Sequence, residues 1–191
     1  MHFTALSNSQ ARVGTQDEYA QIEQRVKDKM ETHKDAIISE CGKYRYLLQR
    51  SWGVNRKALC FVMLNPSTAD ANEDDPTTRR CLGFAQDLGF GQLEVVNLFA
   101  WRATDKRELK RVGDPIGLEN DYQISQAVSV CHMVICAWGA TFRYRYDPRP
   151  AQVLGIIRRC GKRPLALRVG KTGHPYHPLY LPRVCNLVEL L

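Results

Sequence analysis

Residues 58–70 read ALCFVMLNPSTAD, and the expected fold is built outward from them. The run 58–64 is apolar without alternation, as a central strand requires when other elements cover both faces of its sheet. Pro66 ends the run, because a proline has no N–H to donate to a neighbouring strand. This stretch therefore predicts a buried strand that leads into a short polar loop.

The rest of the chain alternates between strand-like and helix-like patterns. Short apolar or aromatic runs indicate strands, and apolar residues at helical spacing between Pro and Gly indicate helices. The expected elements besides residues 58–64 are strands at 44–50, 93–99, 130–137 and 163–169, and helices at 77–88, within 115–128 and at 150–160. Strands that alternate with helices form parallel sheets covered on both faces. We therefore expect a three-layer αβα domain of the α/β class, with a mostly parallel four-stranded central sheet and an added antiparallel strand.

The first 40 residues are expected to form an extension to this domain. Residues 1–16 are rich in Ser, Thr, Gln and Asn and show no periodicity. From Gln16 to about Glu40, apolar residues recur at near-helical spacing among charges, which predicts an amphipathic helix. That helix would pack on the core or bind a partner. Residues 41–191 are then a single α/β domain, a length that suits one hydrophobic core.

The composition favours a cytoplasmic protein. The seven cysteines are an odd number and include no Cys-x-x-Cys pair, which argues against a zinc ribbon or a Cys-ligated cluster. Free thiols of this kind suit a reducing compartment. Residues 1–20 lack the basic and apolar regions of a signal peptide, and no apolar run reaches the length of a membrane span. We expect no metal, no cofactor and no membrane partner.

The net positive charge of the chain comes from its last quarter. Residues 141–191 hold 10 Lys or Arg against two acidic residues, whereas residues 1–140 hold 17 against 18. A basic segment attracts phosphates and gives salt-dependent affinity for nucleic acid. The same charge also suits a solvated surface, so both readings stay open. The candidate nucleic-acid contacts are Arg143, Arg145, Arg149 and Lys171.

Polar or small residues follow each strand of the expected parallel sheet. In open α/β sheets, ligands bind outside the carboxyl ends of the strands, so these residues are expected to share one site. The candidate substrate-binding residues are Pro66, Ser67, Thr68, Asp70, Asn97, Trp101, Trp138 and Gly139. Asn97, buried in its strand, would either fix a loop or face a ligand. The two tryptophans would either stack on a planar ligand such as a base or pack in the core.

Two histidines follow the last strand, in the segment KTGHPYHP at 171–178. Prolines hold this segment extended, so His174 and His177 do not share a helix face as metal ligands often do. An imidazole N–H near neutral pH is a suitable donor to a developing anion. Both histidines are candidate catalytic residues, and a structural role is the alternative.

A cluster of acids follows the first buried strand, and three interpretations compete for it. Asp75 or Thr77 could cap the next helix while the carboxylates pair with Arg79 and Arg80. The carboxylates could hold a divalent cation, or one of them could activate a water for hydrolysis. The cluster consists of Asp70, Glu73, Asp74 and Asp75.

Six sequence blocks occur in an order that resembles a known family. They read CGKYRYLLQRSWG, VMLNPSTADANEDDPTTRRCLGFAQDLGF, VVNLFAWRATD, GDPIGLENDYQI, AWG and KTGHPYHPLYLP. Together they resemble the small bacterial and phage proteins of domain-of-unknown-function family 1643, over about residues 41–182. That resemblance implies a shared fold and site but no particular reaction.

The order of motifs also resembles, more distantly, the uracil-DNA glycosylase superfamily. The resemblance implies that the Asn65-Pro66 loop positions a water, that Asn97 and Gly139 belong to the second and third motifs, and that His174 or His177 stabilises the departing base. The sequence departs from the superfamily's pattern at Met63, where the superfamily has glycine, and at Ser67. The implied mechanism acts on a base flipped into a pocket, with Asn65 as a catalytic residue.

Three functions are compatible with the sequence. The first is a nucleobase- or nucleotide-directed hydrolase similar to a DNA glycosylase. The second is a non-catalytic nucleic-acid-binding module that uses the same pocket to recognise a base. The third is a divalent-metal-dependent hydrolase that uses Asp70, Asp74 and Asp75.

Overall fold

The apolar run at residue 58 forms the centre of a seven-stranded sheet in the computed structural model, which describes residues 15–18, 33–67, 69–139 and 148–190. The strands are β1 (His33–Ile38), β2 (Arg45–Ser51), β3 (Ala58–Met63), β4 (Gln92–Asn97), β5 (Met133–Cys136), β6 (Pro164–Ala166) and β7 (Val188–Glu189). The helices are α1 (Pro76–Asp87), α2 (Asn120–Val130) and α3 (Arg149–Arg159), with short 3-10 helices at Lys106–Lys110 and Pro178–Tyr180. The protein is therefore of the mixed α/β class, as expected.

The sheet has a parallel centre and antiparallel edges. Its strand order is β1-β2-β4-β3-β5-β6-β7. The four strands β4, β3, β5 and β6 are mutually parallel, whereas β2 and β1 extend one edge and β7 the other in antiparallel fashion. The sheet is thus larger than predicted, because each edge carries antiparallel strands that the sequence pattern only partly indicates.

The residues of β3 alternate between two hydrophobic cores, one on each face of the sheet. Leu59 and Phe61 pack in the core that contains Phe84 of α1. Cys60 and Val62 pack in the core that contains residues of α2 and α3. Successive side chains of a strand point to opposite faces, so every side chain of a strand between two cores is buried and apolar residues suit all its positions. This explains why the run at residue 58 is uninterrupted.

Residues 33–38 form a strand, so the predicted helix from Gln16 to about Glu40 is wrong over this segment. Side chains of β1 alternate between exposed and half-buried, which is the period of a strand at a sheet edge. Pairing with β2 supplies hydrogen bonds that the sequence pattern does not reveal. The predicted helix otherwise falls mainly on residues 19–32, which lie outside the described residues, as do residues 1–14. The division into an extension and one domain stays a prediction.

Helix α1 begins and ends with recognisable signals. Asp75 caps it, accepting a 2.7 Å hydrogen bond from the backbone N–H of Thr78, and Pro76 occupies the first position. Gly89, with φ +76°, follows its last turn in the left-handed conformation that glycine adopts without strain. The capping interpretation of the acidic cluster is therefore confirmed for Asp75. Among the described helices, none has the length and apolar character needed to cross a membrane.

Candidate functional site

A cavity of about 600 Å³ opens at the carboxyl ends of the parallel strands. Asn65 after β3, Asn97 at the end of β4, and Trp138 and Gly139 after β5 all line it. Ser67 and His177 line it as well. Its volume is typical of sites that enclose a small molecule. The expected convergence of strand ends on one site is thus seen for these residues.

The topology explains why the cavity forms at this point. Helix α1, which follows β3, packs on one face of the sheet, whereas α2 and α3 pack on the other. The chain therefore leaves β3 and β5, which are neighbours, towards opposite faces. In open α/β sheets, a crevice opens at the carboxyl ends where the connections diverge in this way.

Asn65 is held in one orientation by its own amide. Its Nδ2 donates to the carbonyl of Pro66 at 3.0 Å and to that of Ala103 at 2.8 Å. Its Oδ1 accepts no hydrogen bond from any residue that the structure describes. The side chain therefore offers an oriented acceptor at the cavity wall, where it can hold a water or a ligand donor.

Asn97 is a buried amide without a partner. It is 1% exposed, and neither its Nδ2 nor its Oδ1 is hydrogen-bonded within the described part of the chain. Such a group costs about 1–3 kcal/mol until it finds a partner. The loop-fixing role considered for Asn97 belongs to Asn120, whose Nδ2 donates to the carbonyls of Asn97 and Leu98, each at 3.1 Å.

The two candidate histidines have different positions. His177 lines the cavity, and its Nδ1 accepts a 3.3 Å hydrogen bond from the backbone N–H of Leu179. Because Nδ1 is the acceptor, the neutral ring carries its proton on Nε2. His174 does not line the cavity, and its Nδ1 lies 3.5 Å from Nε1 of Trp138. His174 therefore supports a wall residue, and His177 is the histidine that can touch a ligand.

Gly139 leaves room beside His177. A side chain built on Gly139 would place its Cβ 4.0 Å from Cβ of His177. The φ of Gly139 is +106°, which favours glycine over any residue with a side chain. Gly139 therefore places backbone without a side chain beside His177 in the cavity wall.

Three predicted binding residues do not line the cavity. Trp101 packs edge-on against Tyr44, with ring centroids 5.3 Å apart, and Pro66 contributes a carbonyl to Asn65. Asp70 accepts hydrogen bonds from the backbone N–H groups of Asn72 and Glu73, which hold its pKa below the usual value. These residues shape the loops around the site. Thr68, Arg143 and Arg145 lie outside the described residues.

The acidic cluster is used for structure. Asp74 pairs with Arg50 at 2.8 Å and with Lys34 at 3.5 Å. The expected pairing with Arg79 and Arg80 is wrong, because these arginines donate to backbone carbonyls instead. Within the described ranges, no three His, Cys, Asp or Glu side chains come together as a metal site would need.

Arg149 and Lys171, the two expected nucleic-acid contacts that the structure describes, have different environments. Arg149 is 1% exposed, donates through Nε to the carbonyl of Leu98 at 2.7 Å and pairs with Asp121 at 2.6 Å. It cannot reach a phosphate on the surface, so this prediction is wrong. Lys171 is exposed in a turn outside the cavity, and its contact with nucleic acid stays a prediction.

Sequence reasoning missed several wall residues, above all Arg45. Arg45 is 3% exposed, and its Nη1 donates to the carbonyl of Ala69 at 2.6 Å. Burial lowers its pKa to about 10, so it stays protonated at neutral pH. Its one sequence signal is a charge within the aromatic strand pattern YRYLL. The other missed wall residues include Asp75, Thr77, Thr78, Asp105, Arg107, Lys110 and Tyr180.

Comparison with known proteins identifies a family. Residues 45–179 match the family model described as "Protein of unknown function (DUF1643)". No curated protein sequence matches the chain. Among solved structures, the chain is similar to a hetero-hexameric glutamate dehydrogenase from Thermus thermophilus in its leucine-bound form, with 12% identity and a TM-score of 0.30. That match covers 76% of this chain, which spans 38% of the dehydrogenase chain.

Proposed function

The chain belongs to the DUF1643 family, and we propose that it hydrolyses the bond between a nucleobase and its sugar. One observation carries the proposal: an oriented acceptor on Asn65, an unpartnered amide on Asn97 and the imidazole of His177 line the same cavity. Such a reaction needs one group that holds a water, one that recognises the base and one that stabilises the base as it leaves. The volume of about 600 Å³ accommodates a base with its sugar.

Asn97 is the group that recognises the base in this proposal. A carboxamide presents a donor and an acceptor side by side, which matches the edge of a nucleobase. Both atoms of Asn97 lack a partner within the described structure, so a base would remove the cost of their burial. Trp138, in the same wall, is 3% exposed and packs in the core beside α2 and α3, so it shapes the pocket rather than stacking on the base.

Asn65 and His177 act on the reacting bond. Oδ1 of Asn65 accepts a hydrogen bond from a water and orients its oxygen towards C1′ of the sugar. The C1′–N bond breaks with its electron pair on the base, and His177 Nε2–H stabilises this anion. The water oxygen bonds to C1′, and the proton it loses ends on the base. The products are a free base and a sugar with a hydroxyl at C1′.

The order of the parallel strands supports this proposal. In chain order, the four strands lie second, first, third and fourth across the sheet, which is a doubly wound arrangement. The motif residues of the distant resemblance to the uracil-DNA glycosylase superfamily occur along the chain at the ends of these strands. Asn65, Asn97, Gly139 and His177 all line the cavity. Met63, where that superfamily has glycine, also lines it, so the floor of this pocket differs.

Release of a free base from a defined substrate tests the proposal. The wild-type protein is incubated with nucleosides, nucleotides and oligonucleotides that carry normal, deaminated and alkylated bases, and released bases are measured by mass spectrometry. We expect release from at least one substrate and a loss of about 100-fold in kcat for Asn65→Ala. Asn55→Ala is the matched control, because its amide also donates to a carbonyl but lies outside the cavity.

Two outcomes contradict the proposal. One is that no substrate of the panel releases a base. The other is equal release by wild type and Asn65→Ala. Binding of a base without any product favours the non-catalytic recognition module considered from the sequence.

A further inference from the structure

The cavity contains a buried positive charge that the proposed hydrolysis does not use. Arg45 comes from β2, an antiparallel strand outside the four parallel strands. It lines the same cavity as Asn65, Asn97 and His177. Arg45 is 3% exposed, and burying a guanidinium without an anion is unfavourable, so a bound anion would stabilise it.

Arg45 differs from the other arginines that are buried in the described part of the chain. Arg50 pairs with Asp74 at 2.8 Å, and Arg149 pairs with Asp121 at 2.6 Å. Arg45 makes no ion pair there. Its charge is the one among the three buried arginines that no carboxylate neutralises at contact distance.

The unpartnered edge of Arg45 has the geometry of an anion site. Nη1 is engaged by the carbonyl of Ala69, whereas Nε is buried without a partner and Nη2 makes no hydrogen bond to the described residues. Nε and Nη2 form the edge with which a guanidinium binds two oxygens of a phosphate or carboxylate. The protein itself fills neither position.

The two carboxylates in the cavity wall already bind other groups of the protein. Asp75 caps α1 through Thr78, and Asp105 binds the guanidinium of Arg107 at 2.8 Å. The other charged wall residues are Arg107 and Lys110, both exposed. Asp105 and Arg107 neutralise each other, so the remaining charged side chains of the wall are the capping carboxylate of Asp75 and the cations Arg45 and Lys110.

We propose that the cavity takes a free mononucleotide whose phosphate binds Arg45 while its base contacts Asn97. The inference rests on the proposed function for the base and adds the class of substrate. A buried, enclosed cation suits a terminal phosphate that enters with its nucleotide, rather than a strand that must pass through the wall. If hydrolysis follows, water adds to C1′, the C1′–N bond breaks, and the products are a free base and a sugar phosphate.

The test compares nucleoside 5′-monophosphates with their matched nucleosides by isothermal titration calorimetry. For wild type, we expect at least one monophosphate to bind tenfold or more tightly than its nucleoside. In Arg45→Met, this ratio should fall below about threefold. Arg56→Met is the control, because Arg56 is exposed in the loop before β3, lies outside the cavity, and its loss should leave the ratio unchanged. Arg45→Lys, which keeps the charge but not the planar edge, should retain part of the preference.

The outcomes separate this inference from the proposed hydrolysis. If no phosphate improves binding in wild type, or if Arg45→Met keeps the full preference, the inference is overturned whatever the activity. A single-stranded oligonucleotide could instead bind more tightly than every mononucleotide and depend on Arg45. The bound phosphate would then belong to a nucleic-acid strand, and the proposal of a free mononucleotide would be overturned. A phosphate preference without base release upholds this inference and contradicts hydrolysis. The wild-type comparison needs no variant, so poor folding of Arg45→Met cannot obscure it.

Discussion

Arg45 and Arg50 lie on the same strand and are 3% and 0% exposed, yet the structure treats them differently. Arg50 pairs with Asp74 and donates to the carbonyls of Asp35, Gln49 and Asp70. Arg45 lies in the cavity wall and donates to one carbonyl through Nη1, whereas its Nε has no partner among the described residues. The partners of Arg50 all come from the protein, whereas the unpartnered Nε of Arg45 is the basis for proposing a ligand there.

One loop explains the difference. Residues 69–75 pass over β2 and supply the carbonyl of Ala69 to Arg45 and the carboxylate of Asp74 to Arg50. The next carboxylate, Asp75, is taken by the first turn of α1. The loop therefore supplies a carboxylate to Arg50 but none within contact of Arg45.

The largest expected effect is on stability at Arg50. Arg50→Met removes the closer of the two cations that pair with Asp74, leaving Lys34 at 3.5 Å, and takes a donor away from three carbonyls. We expect the free energy of unfolding to fall by about 3 kcal/mol, because the carboxylate keeps only a partly exposed partner and the carbonyls lose buried hydrogen bonds. Urea unfolding measures this. A loss below about 1 kcal/mol would mean that Arg50 is no more structural than Arg45.

The opposite sign is expected at Arg45 in the free protein. Arg45→Met removes a buried charge that has no ion pair, so the free energy of unfolding should stay the same or rise by about 1 kcal/mol. The same urea experiment measures it beside Arg50→Met. A loss as large as that of Arg50→Met would break the distinction between the two arginines.

The pH dependence of stability should also single out Arg45. Burial lowers its pKa to about 10, well below the ordinary value of an arginine, so above pH 10 the unfolded chain binds more protons than the folded protein. The contribution of this group to stability therefore rises with pH in that window. We expect any stability advantage of Arg45→Met over wild type to shrink between pH 9 and pH 11. An advantage that grows with pH would contradict a buried, charged Arg45.

The smallest effect is expected from Asp75, whose carboxylate lies near Arg45 and favours its charged form. Asp75→Asn keeps an effective helix cap but removes the negative charge that opposes an anion in the cavity. We expect phosphate-dependent binding to tighten about threefold, with the thermal midpoint of the free protein nearly unchanged. Calorimetry with the same mononucleotides measures this change. Weaker binding in Asp75→Asn would mean that Asp75 serves the ligand directly.

Much of the parallel core could be predicted because its signals are local. Continuous apolar runs indicated β3, β4 and β5, and Pro and Gly bounded the helices. The edge strands were harder, since β1 alternates on a half-exposed edge and β7 has two residues. Both exist because a neighbouring strand offers hydrogen bonds, which is information from elsewhere in the chain.

The candidate site was predicted in part. Asn65, Asn97, Trp138, Gly139 and His177 line the cavity because they follow parallel strands, whose carboxyl ends meet at one edge. Trp101 also follows a strand, but a contact with Tyr44 draws it away from the cavity. The doubled His-Pro motif could not be resolved from sequence, because the choice depends on how residues 171–178 pack around Trp138.

The sequence by itself determined the alternation of buried positions and the polar residues at the strand ends, since both follow from the geometry of a strand. Only the tertiary structure decided the roles of Arg45 and Arg50. In a regular strand, residues five apart point to opposite faces. A register shift where Ile37 and Ile38 pair with β2 inserts one extra residue into β2, and both arginines then contact residues 69–74. Which of them finds a carboxylate depends on a loop some twenty residues further along the chain.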